Sequence, residues 1–85
     1  MNKRGEYTLY SIEMIGDYLS FDAFAINKKY ITYIRTGYDL MGEPAIEIHL
    51  STQENPILIR ESLFVEDVNV YNILIRVLEC LENNN

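Results

Sequence analysis

The chain has little of several residue types that usually carry chemistry. Its 85 residues include one cysteine, Cys80, one histidine, His49, and no tryptophan. A single cysteine excludes an internal disulfide framework. One cysteine and one histidine together are also too few to form a zinc site with four ligands. The four glycines are isolated, so no glycine-rich phosphate loop is present. We therefore expect no metal, no cofactor and no enzymatic activity, in a reducing, cytoplasmic compartment.

Long apolar runs are also missing. No segment approaches the roughly 18 apolar residues that a transmembrane helix needs, and no apolar stretch follows the basic residues Lys3 and Arg4 as it would in a signal peptide. The length predicts one domain over residues 1–82, with a disordered tail at 83–85. A chain this short buries only about 60–65% of its unfolded surface, so self-association would stabilise it.

Positive charge is scarce in the second half of the chain. The net charge is −6, and residues 37–85 hold two arginines against nine carboxylates. Because an acidic surface repels phosphate backbones, direct binding of nucleic acid is disfavoured. The acidity either keeps the protein soluble or presents an acidic face that competes for a basic groove on another protein.

Alternating apolar residues and turn signals predict an antiparallel sheet of about five strands. Gly16-Asp17 and Asn27-Lys28-Lys29 mark turns. In the second strand Leu19, Phe21, Ala23 and Ala25 share one face, whereas Phe24 and Ile26 lie on the other. The short connections favour antiparallel pairing, since parallel crossovers need about a dozen residues or more. The expected strands cover residues 6–14, 18–26, 30–36, 45–51 and 57–61, with a loop at 37–44 and a turn at 52–56.

A helix is predicted from Val68 to Glu82, with Asp67 as its N-cap. At 100° per residue its apolar side chains occupy an arc of roughly 220°, about twice the width that a surface helix needs. The arc divides into two seams with Leu74 between them, and only one of them can face the sheet. We predict that the other needs a partner. The pattern does not decide which seam faces the sheet, and the second seam is taken as the contact. The first seam is Val70, Ile73, Val77 and Leu81; the second is Val68, Tyr71, Ile75 and Leu78.

Two further sets of residues are candidate binding positions. The loop Tyr38, Asp39, Leu40 and Met41 either folds back over the sheet edge or forms a contact tip for another protein, because Tyr and Met are favoured contact residues. Lys28, Lys29 and Arg35 are candidates for binding an anion.

The single histidine and the single cysteine are expected to be structural. His49 stands beside Glu47 on a strand, and it is interpreted as a partly exposed strand residue rather than a general base. Cys80 is interpreted as a small packing residue.

The order of segments in residues 24–82 resembles the small FlbD-like bacterial proteins. Phe24-Ala-Ile-Asn27 leads into Tyr30–Ile34, then Ile46–Leu50, Ile57–Ser62 and an apolar helix. The resemblance implies an Asn-initiated turn, two strands and a Glu-Ser step before a C-terminal helix, with a role in flagellar motility and no catalytic residues. The chain differs in its longer loop at 37–44 and in having no Asn-Gly turn before Ile57.

Three functions are therefore considered. The first is a small non-enzymatic protein-binding module that forms a homo-oligomer through its C-terminal helix. The second is an acidic inhibitor, of the kind that phages encode, directed against a host nucleic-acid-handling or defence protein. The third is an oligomeric protein that sequesters a nucleotide-like small molecule through tyrosines and the cationic residues named above.

Overall fold

The chain forms two antiparallel sheets and a C-terminal helix, which confirms the α+β class. The computed structural model describes residues 12–21, 24–63 and 69–83. One three-stranded sheet has the order β1-β2-β3 and the other β4-β5-β6, so the prediction of a single five-stranded sheet is wrong. The strands are β1 (Ile12–Ile15), β2 (Tyr18–Phe21), β3 (Phe24–Asn27), β4 (Ile31–Tyr38), β5 (Pro44–Leu50) and β6 (Ile57–Arg60); the helix α1 is Val70–Asn83, and 3₁₀ turns cover Lys28–Tyr30 and Glu61–Leu63.

The predicted second strand is in fact a hairpin. Phe21 pairs with Phe24 across β2 and β3, so the chain reverses between them. A continuous strand would place Ile26 on the opposite face from Leu19 and Phe21. Reversing the chain brings all three into the core and leaves Ala25 exposed. The two phenylalanine rings stack with their centroids 5.2 Å apart.

A β-bulge adjusts which residues of β4 face the core. The pairing with β5 shifts between Ile31 and Tyr33, which makes Thr32 the extra residue. Its hydroxyl donates a hydrogen bond of 2.9 Å to the carbonyl oxygen of His49. Because of the bulge, Ile31 and Ile34 both pack against the core although they are three residues apart.

Hydrogen bonds at both ends anchor the 3₁₀ turn that connects the two sheets. Asn27 Oδ1 accepts from the backbone N–H of Lys29, as expected for an Asn-initiated turn. The N–H of Lys28 donates to the carbonyl of Asp17 in the β1–β2 turn, and the N–H of Ser51 donates to the carbonyl of Tyr30. This short segment therefore fixes the two sheets relative to each other.

The helix closes one core that both sheets share. Its buried residues Val70, Ile73 and Val77 belong to one buried cluster with side chains from β2, β3, β5 and β6, and the helix itself lies against β1, β4, β5 and β2. The first predicted seam is therefore the one that faces the sheets, with Leu74 and Leu81 half-buried at its margin. None of the described helical segments is long and apolar enough to cross a membrane. The sheet residues of the core are Leu19, Phe21, Ile26, Ile46, Ile48 and Ile59.

The start of α1 is set by Asn69 and Glu61. Asn69 Oδ1 accepts from the N–H of Asn72 at 2.9 Å, and the Asn69 carbonyl accepts the first helical hydrogen bond. Glu61 Oε2 accepts from the N–H of Val70 at 2.6 Å, which places a carboxylate at the positive end of the helix dipole. The predicted cap Asp67 lies outside the described residues, and the helix extends to Asn83.

Candidate functional site

The second helical seam is exposed on the surface of the subunit. Tyr71, Ile75 and Leu78 keep 64%, 52% and 41% of their surface accessible, although they lie on the same helix as the buried residues of the core. We call these three residues the outer stripe. Val68, the fourth predicted member of this seam, lies outside the described residues. The described part of the chain therefore leaves the predicted self-association surface uncovered.

Tyr38 extends the outer stripe beyond the start of the helix. It is the last residue of β4, is 70% exposed, and lines a depression of about 240 Å³ together with Tyr71. Pro44 and Glu61 contribute to the same depression. Tyr38 of the predicted contact loop and Tyr71 of the predicted helical seam thus belong to a single surface. The sequence alone did not indicate this.

The other apolar residues of the hairpin loop form a separate surface, the hairpin tip, which consists of Leu40 and Met41. Leu40 is fully exposed and Met41 nearly so, so neither side chain folds back over the sheet edge. Beside them a shallow depression of about 370 Å³ is also lined by Leu58 and Arg60 of β6. The loop is shorter than expected, because β4 continues to Tyr38 and β5 begins at Pro44.

Asp39 holds the hairpin tip in place through hydrogen bonds within the loop. Its Oδ1 accepts from the backbone N–H groups of Met41 (2.9 Å) and Glu43 (2.8 Å). Its backbone also exchanges hydrogen bonds with Glu43 and Gly42, and Gly42 has the positive φ of 87° that favours glycine. The Asp39 side chain is only 9% exposed, with Arg60 Nη1 3.8 Å from Oδ2. The tip is therefore an ordered loop that presents two apolar side chains.

The candidate anion-binding residues are divided between two places. Lys28 and Lys29 lie on the 3₁₀ turn between the sheets, where the Lys29 ammonium is 5.1 Å from the centroid of the Tyr30 ring. Arg35 lies on β4, and its Nε donates to Glu47 Oε1 at 2.9 Å. An anion at Arg35 would therefore have to compete with a carboxylate already in place.

Arg35 and Glu47 belong to a polar cluster on the face of the β4–β5 pair that points away from the helix. Glu47 Oε1 is also 2.9 Å from His49 Nε2, and the His49 ring stacks on Tyr33 with centroids 4.1 Å apart. The hydrogen bonds from His49 and then Arg35 lower the pKa of Glu47, and the bond to Glu47 raises the pKa of Arg35. Gly37 leaves room for this carboxylate, since a Cβ there would overlap Glu47.

This cluster has the geometry of a satisfied surface network. The His49 side chain is only 18% exposed, and its Nε2 lies 2.9 Å from Glu47 Oε1. The sequence indicated the Glu47–His49 adjacency but missed Arg35 and Tyr33. Their cross-strand pairing with β5 depends on the bulge at Thr32, and alternation alone does not reveal a bulge.

The described residues hold no candidate metal centre. Within residues 12–21, 24–63 and 69–83, no three His, Cys, Asp or Glu side chains cluster as metal ligands. Cys80 is half-buried, and its Sγ lies 3.5 Å from the carbonyl oxygen of Ile12, to which it donates. Burial, followed by the charges of Glu79 and Glu13, raises the pKa of the thiol. An unreactive packing role for Cys80 is consistent with this environment.

Comparison of the chain with protein-family models, with curated proteins and with solved structures finds no match. The FlbD-like resemblance therefore stays a prediction.

Proposed function

We propose that the protein is a non-enzymatic binding module that self-associates through the outer stripe of α1. The observation that supports this proposal is the exposure of Tyr71, Ile75 and Leu78 on one face of a helix whose other face is fully used by the core. A surface helix that only packs on its own sheet has polar residues in these positions. Apolar residues there are typical of a second contact.

The size of the surface is suited to a small interface. With Tyr38 included, the four residues keep between 41% and 70% of their surface accessible, whereas an interface of standard size buries about 800 Å² per partner. Aromatic residues near the centre of such a patch supply much of the binding energy. Flanking polar residues would contribute the remaining area.

The hairpin tip supports a second contact, with a different protein. The Asp39 hydrogen bonds order the loop backbone that carries Leu40 and Met41, so docking these residues costs little backbone entropy. Methionine also adapts to varied apolar surfaces. The tip and the outer stripe are separate in the fold, so a dimer formed through the stripe would carry two tips.

The experiment that tests self-association compares two substitutions that add the same charge to α1. Ile75→Glu places a carboxylate in the outer stripe, whereas Asn72→Glu places one on the exposed polar face. We expect sedimentation or light scattering to give a dimer or larger assembly for the wild type and for Asn72→Glu, and a monomer for Ile75→Glu. Circular dichroism checks that both variants remain folded.

Two results would contradict this proposal. A wild-type chain that stays strictly monomeric at tens of micromolar would remove self-association altogether. If the double variant Leu40→Ser, Met41→Ser dissociated the assembly while Ile75→Glu did not, the self-contact would lie at the hairpin tip instead. Because the stripe is apolar, its association is also expected to change little with salt.

A further inference from the structure

Strand β6 has a hydrogen-bonded neighbour on one side only. It pairs with β5, and none of the other described strands lies beside it. An open strand edge of this kind can pair with an extended segment of another chain, because its outer N–H and C=O groups are not used by the sheet. The residues that present these groups follow from the alternation of hydrogen bonds in an antiparallel ladder.

The direction of the backbone groups in β5 is set at the β4–β5 hairpin. The N–H of Asp39 donates to the carbonyl oxygen of Glu43 at 2.9 Å, so these two residues form a hydrogen-bonded pair. Hydrogen-bonded and non-hydrogen-bonded pairs alternate along two antiparallel strands. Counting from Glu43, the odd-numbered residues of β5 direct their backbone groups to β4, and the even-numbered residues direct theirs to β6.

The same alternation decides which groups of β6 point outwards. Ile57 and Ile59 lie opposite even-numbered residues of β5, so their backbone groups bond to that strand. The N–H and C=O of Leu58 and the N–H of Arg60 therefore point away from the sheet. The side chains of Leu58 and Arg60 share the face opposite to that of the buried Ile59.

The depression at the hairpin tip lies beside these two side chains. Leu58 and Arg60 line it together with Leu40 and Met41. A strand added to the edge of β6 would place alternate side chains on the same face, next to Leu58 and Arg60. A side chain opposite Leu58 would therefore reach the depression and contact the hairpin tip.

The exposed charge changes sign along the edge of β6. Glu54 is exposed in the turn before the strand, whereas the Arg60 side chain, at the other end, is 43% exposed. The carboxylate beside Arg60 belongs to Asp39, which is only 9% exposed and also accepts two N–H groups of its own loop. The accessible charge at this end is therefore positive, and it favours a carboxylate on the opposite strand.

We propose that β6 binds an extended segment of another protein as an added antiparallel strand. The segment carries an apolar residue opposite Leu58 and an acidic residue two positions away, opposite Arg60. Leu40 and Met41 cover the apolar side chain, main-chain hydrogen bonds supply affinity, and the two side chains supply specificity. This inference gives the chemistry of the partner at the hairpin tip, and it rests on the second contact proposed for that tip.

Titration with two short peptides, followed by NMR, tests the proposal. The probe is acetyl-Thr-Glu-Thr-Leu-Thr-amide, and the control peptide has lysine in place of glutamate. We expect the backbone amide signals of Leu58 and Arg60 to shift at millimolar probe. The lysine peptide should bind up to about five-fold more weakly, the size of a cross-strand charge pair. Equal binding of the two peptides would overturn the acidic preference.

Proline at position 58 and a modified probe test whether the peptide adds as a strand. Leu58→Pro and Leu58→Ala both lose the leucine side chain, but only proline also loses the outward N–H, which an edge position tolerates. We expect weaker binding by Leu58→Ala and none by Leu58→Pro, with circular dichroism to check folding. The probe with N-methylated leucine lacks the matching donor and should not bind the wild type. Binding of that probe equal to that of the unmodified one would overturn strand addition.

The double variant Leu40→Ser, Met41→Ser separates the inference from the contact on which it rests. It should bind the glutamate peptide roughly ten-fold more weakly, the effect of about two methylene groups that are no longer buried. If this variant weakens binding but N-methylation does not, the tip contact stands and strand addition is wrong. If the variant binds like the wild type, both the tip contact and the inference fail. If neither peptide shifts the signals of β6, the inference is wrong, while self-association is judged separately by sedimentation.

Discussion

The two faces of α1 have nearly the same composition and opposite environments. Ile73 is fully buried between the two sheets, whereas Ile75, two residues later, is half exposed in the outer stripe. Side-chain type therefore does not decide which residues of this helix reach the core. Burial is decided by the position of a residue around the helix axis, because the two sheets cover only about half of the apolar arc of α1.

The largest difference in stability between the two faces of α1 is expected from a substitution at Ile73. Ile73→Ala removes buried methyl groups and leaves a cavity, so the free energy of unfolding should fall by about 2–5 kcal/mol. Ile75→Ala, the matched change on the outer face, should alter the stability of the monomer by less than about 0.5 kcal/mol. Urea unfolding of both variants, at a concentration where the wild type is monomeric, measures the difference. Equal losses would mean that the outer face is covered within one chain.

The next largest effect on stability is expected in the hairpin tip, the other exposed apolar surface. Asp39→Ala removes the acceptor of two backbone N–H groups, at Met41 and Glu43, and should cost about 1–2 kcal/mol. Leu40→Ser, in the same loop, should change the stability by less than about 0.5 kcal/mol, since its side chain is exposed. Faster hydrogen exchange at residues 40–43 in Asp39→Ala, and not in Leu40→Ser, would show that Asp39 orders the tip. If the two variants exchanged alike, Asp39 would not be its anchor.

A smaller effect is expected at the residue that fixes where the helix begins. Asn69→Ala removes the side-chain acceptor for the Asn72 N–H and should lower the free energy of unfolding by about 1 kcal/mol. Asn72→Ala changes an exposed side chain one turn later and serves as its control. Alanine has the higher helix propensity, so Asn72→Ala should be neutral or slightly stabilising. Thermal unfolding of both variants therefore distinguishes the loss of the cap, expected only in Asn69→Ala, from a general effect of replacing Asn by Ala.

The smallest effect on stability is expected from the polar cluster on the outer face of the β4–β5 pair. Hydrogen bonds from His49 and Arg35 hold the pKa of Glu47 below its usual 4.5. The folded state therefore gains stability from ionised Glu47 above pH 4.5, and this gain is lost as the pH falls through the lowered pKa. The difference in urea midpoint between wild type and Glu47→Gln should be present at pH 7 and should disappear as the pH falls below the lowered pKa of Glu47. Glu54→Gln, in the exposed 51–56 turn, removes the same charge away from the cluster and controls for net charge.

The helix and most turns could be predicted because their signals are local. Apolar spacing located α1 to within about two residues at its start, and Gly16 and Asn27 marked real turns. The hairpin inside residues 18–26 was missed, because alternation continues through Asp22 and Ala23 as if one strand ran on. Nothing local shows that Ile26 must share a core with Leu19, which is a consequence of the long-range packing.

The sequence predicted which residues belong to the candidate site, but not which of them lie together in the fold. Tyr71, Ile75 and Leu78 followed from the width of the apolar arc, and the structure shows them exposed. The proximity of Tyr38 to Tyr71 depends on how far β4 extends and on where α1 crosses the sheet. The anchoring role of Asp39 depends on its loop conformation. Both are properties of three-dimensional packing that periodicity does not contain.

The order of the strands has a consequence for how the chain folds. Every strand pairs with its neighbour in sequence, so each sheet can form from short-range contacts, which favours rapid folding. The helix, however, comes last along the chain and supplies Val70, Ile73 and Val77 to the core of both sheets. During synthesis both meanders therefore emerge from the ribosome before α1 is available to cover them. The apolar faces of the two sheets therefore stay uncovered until α1 has emerged and residues 70–83 dock on them.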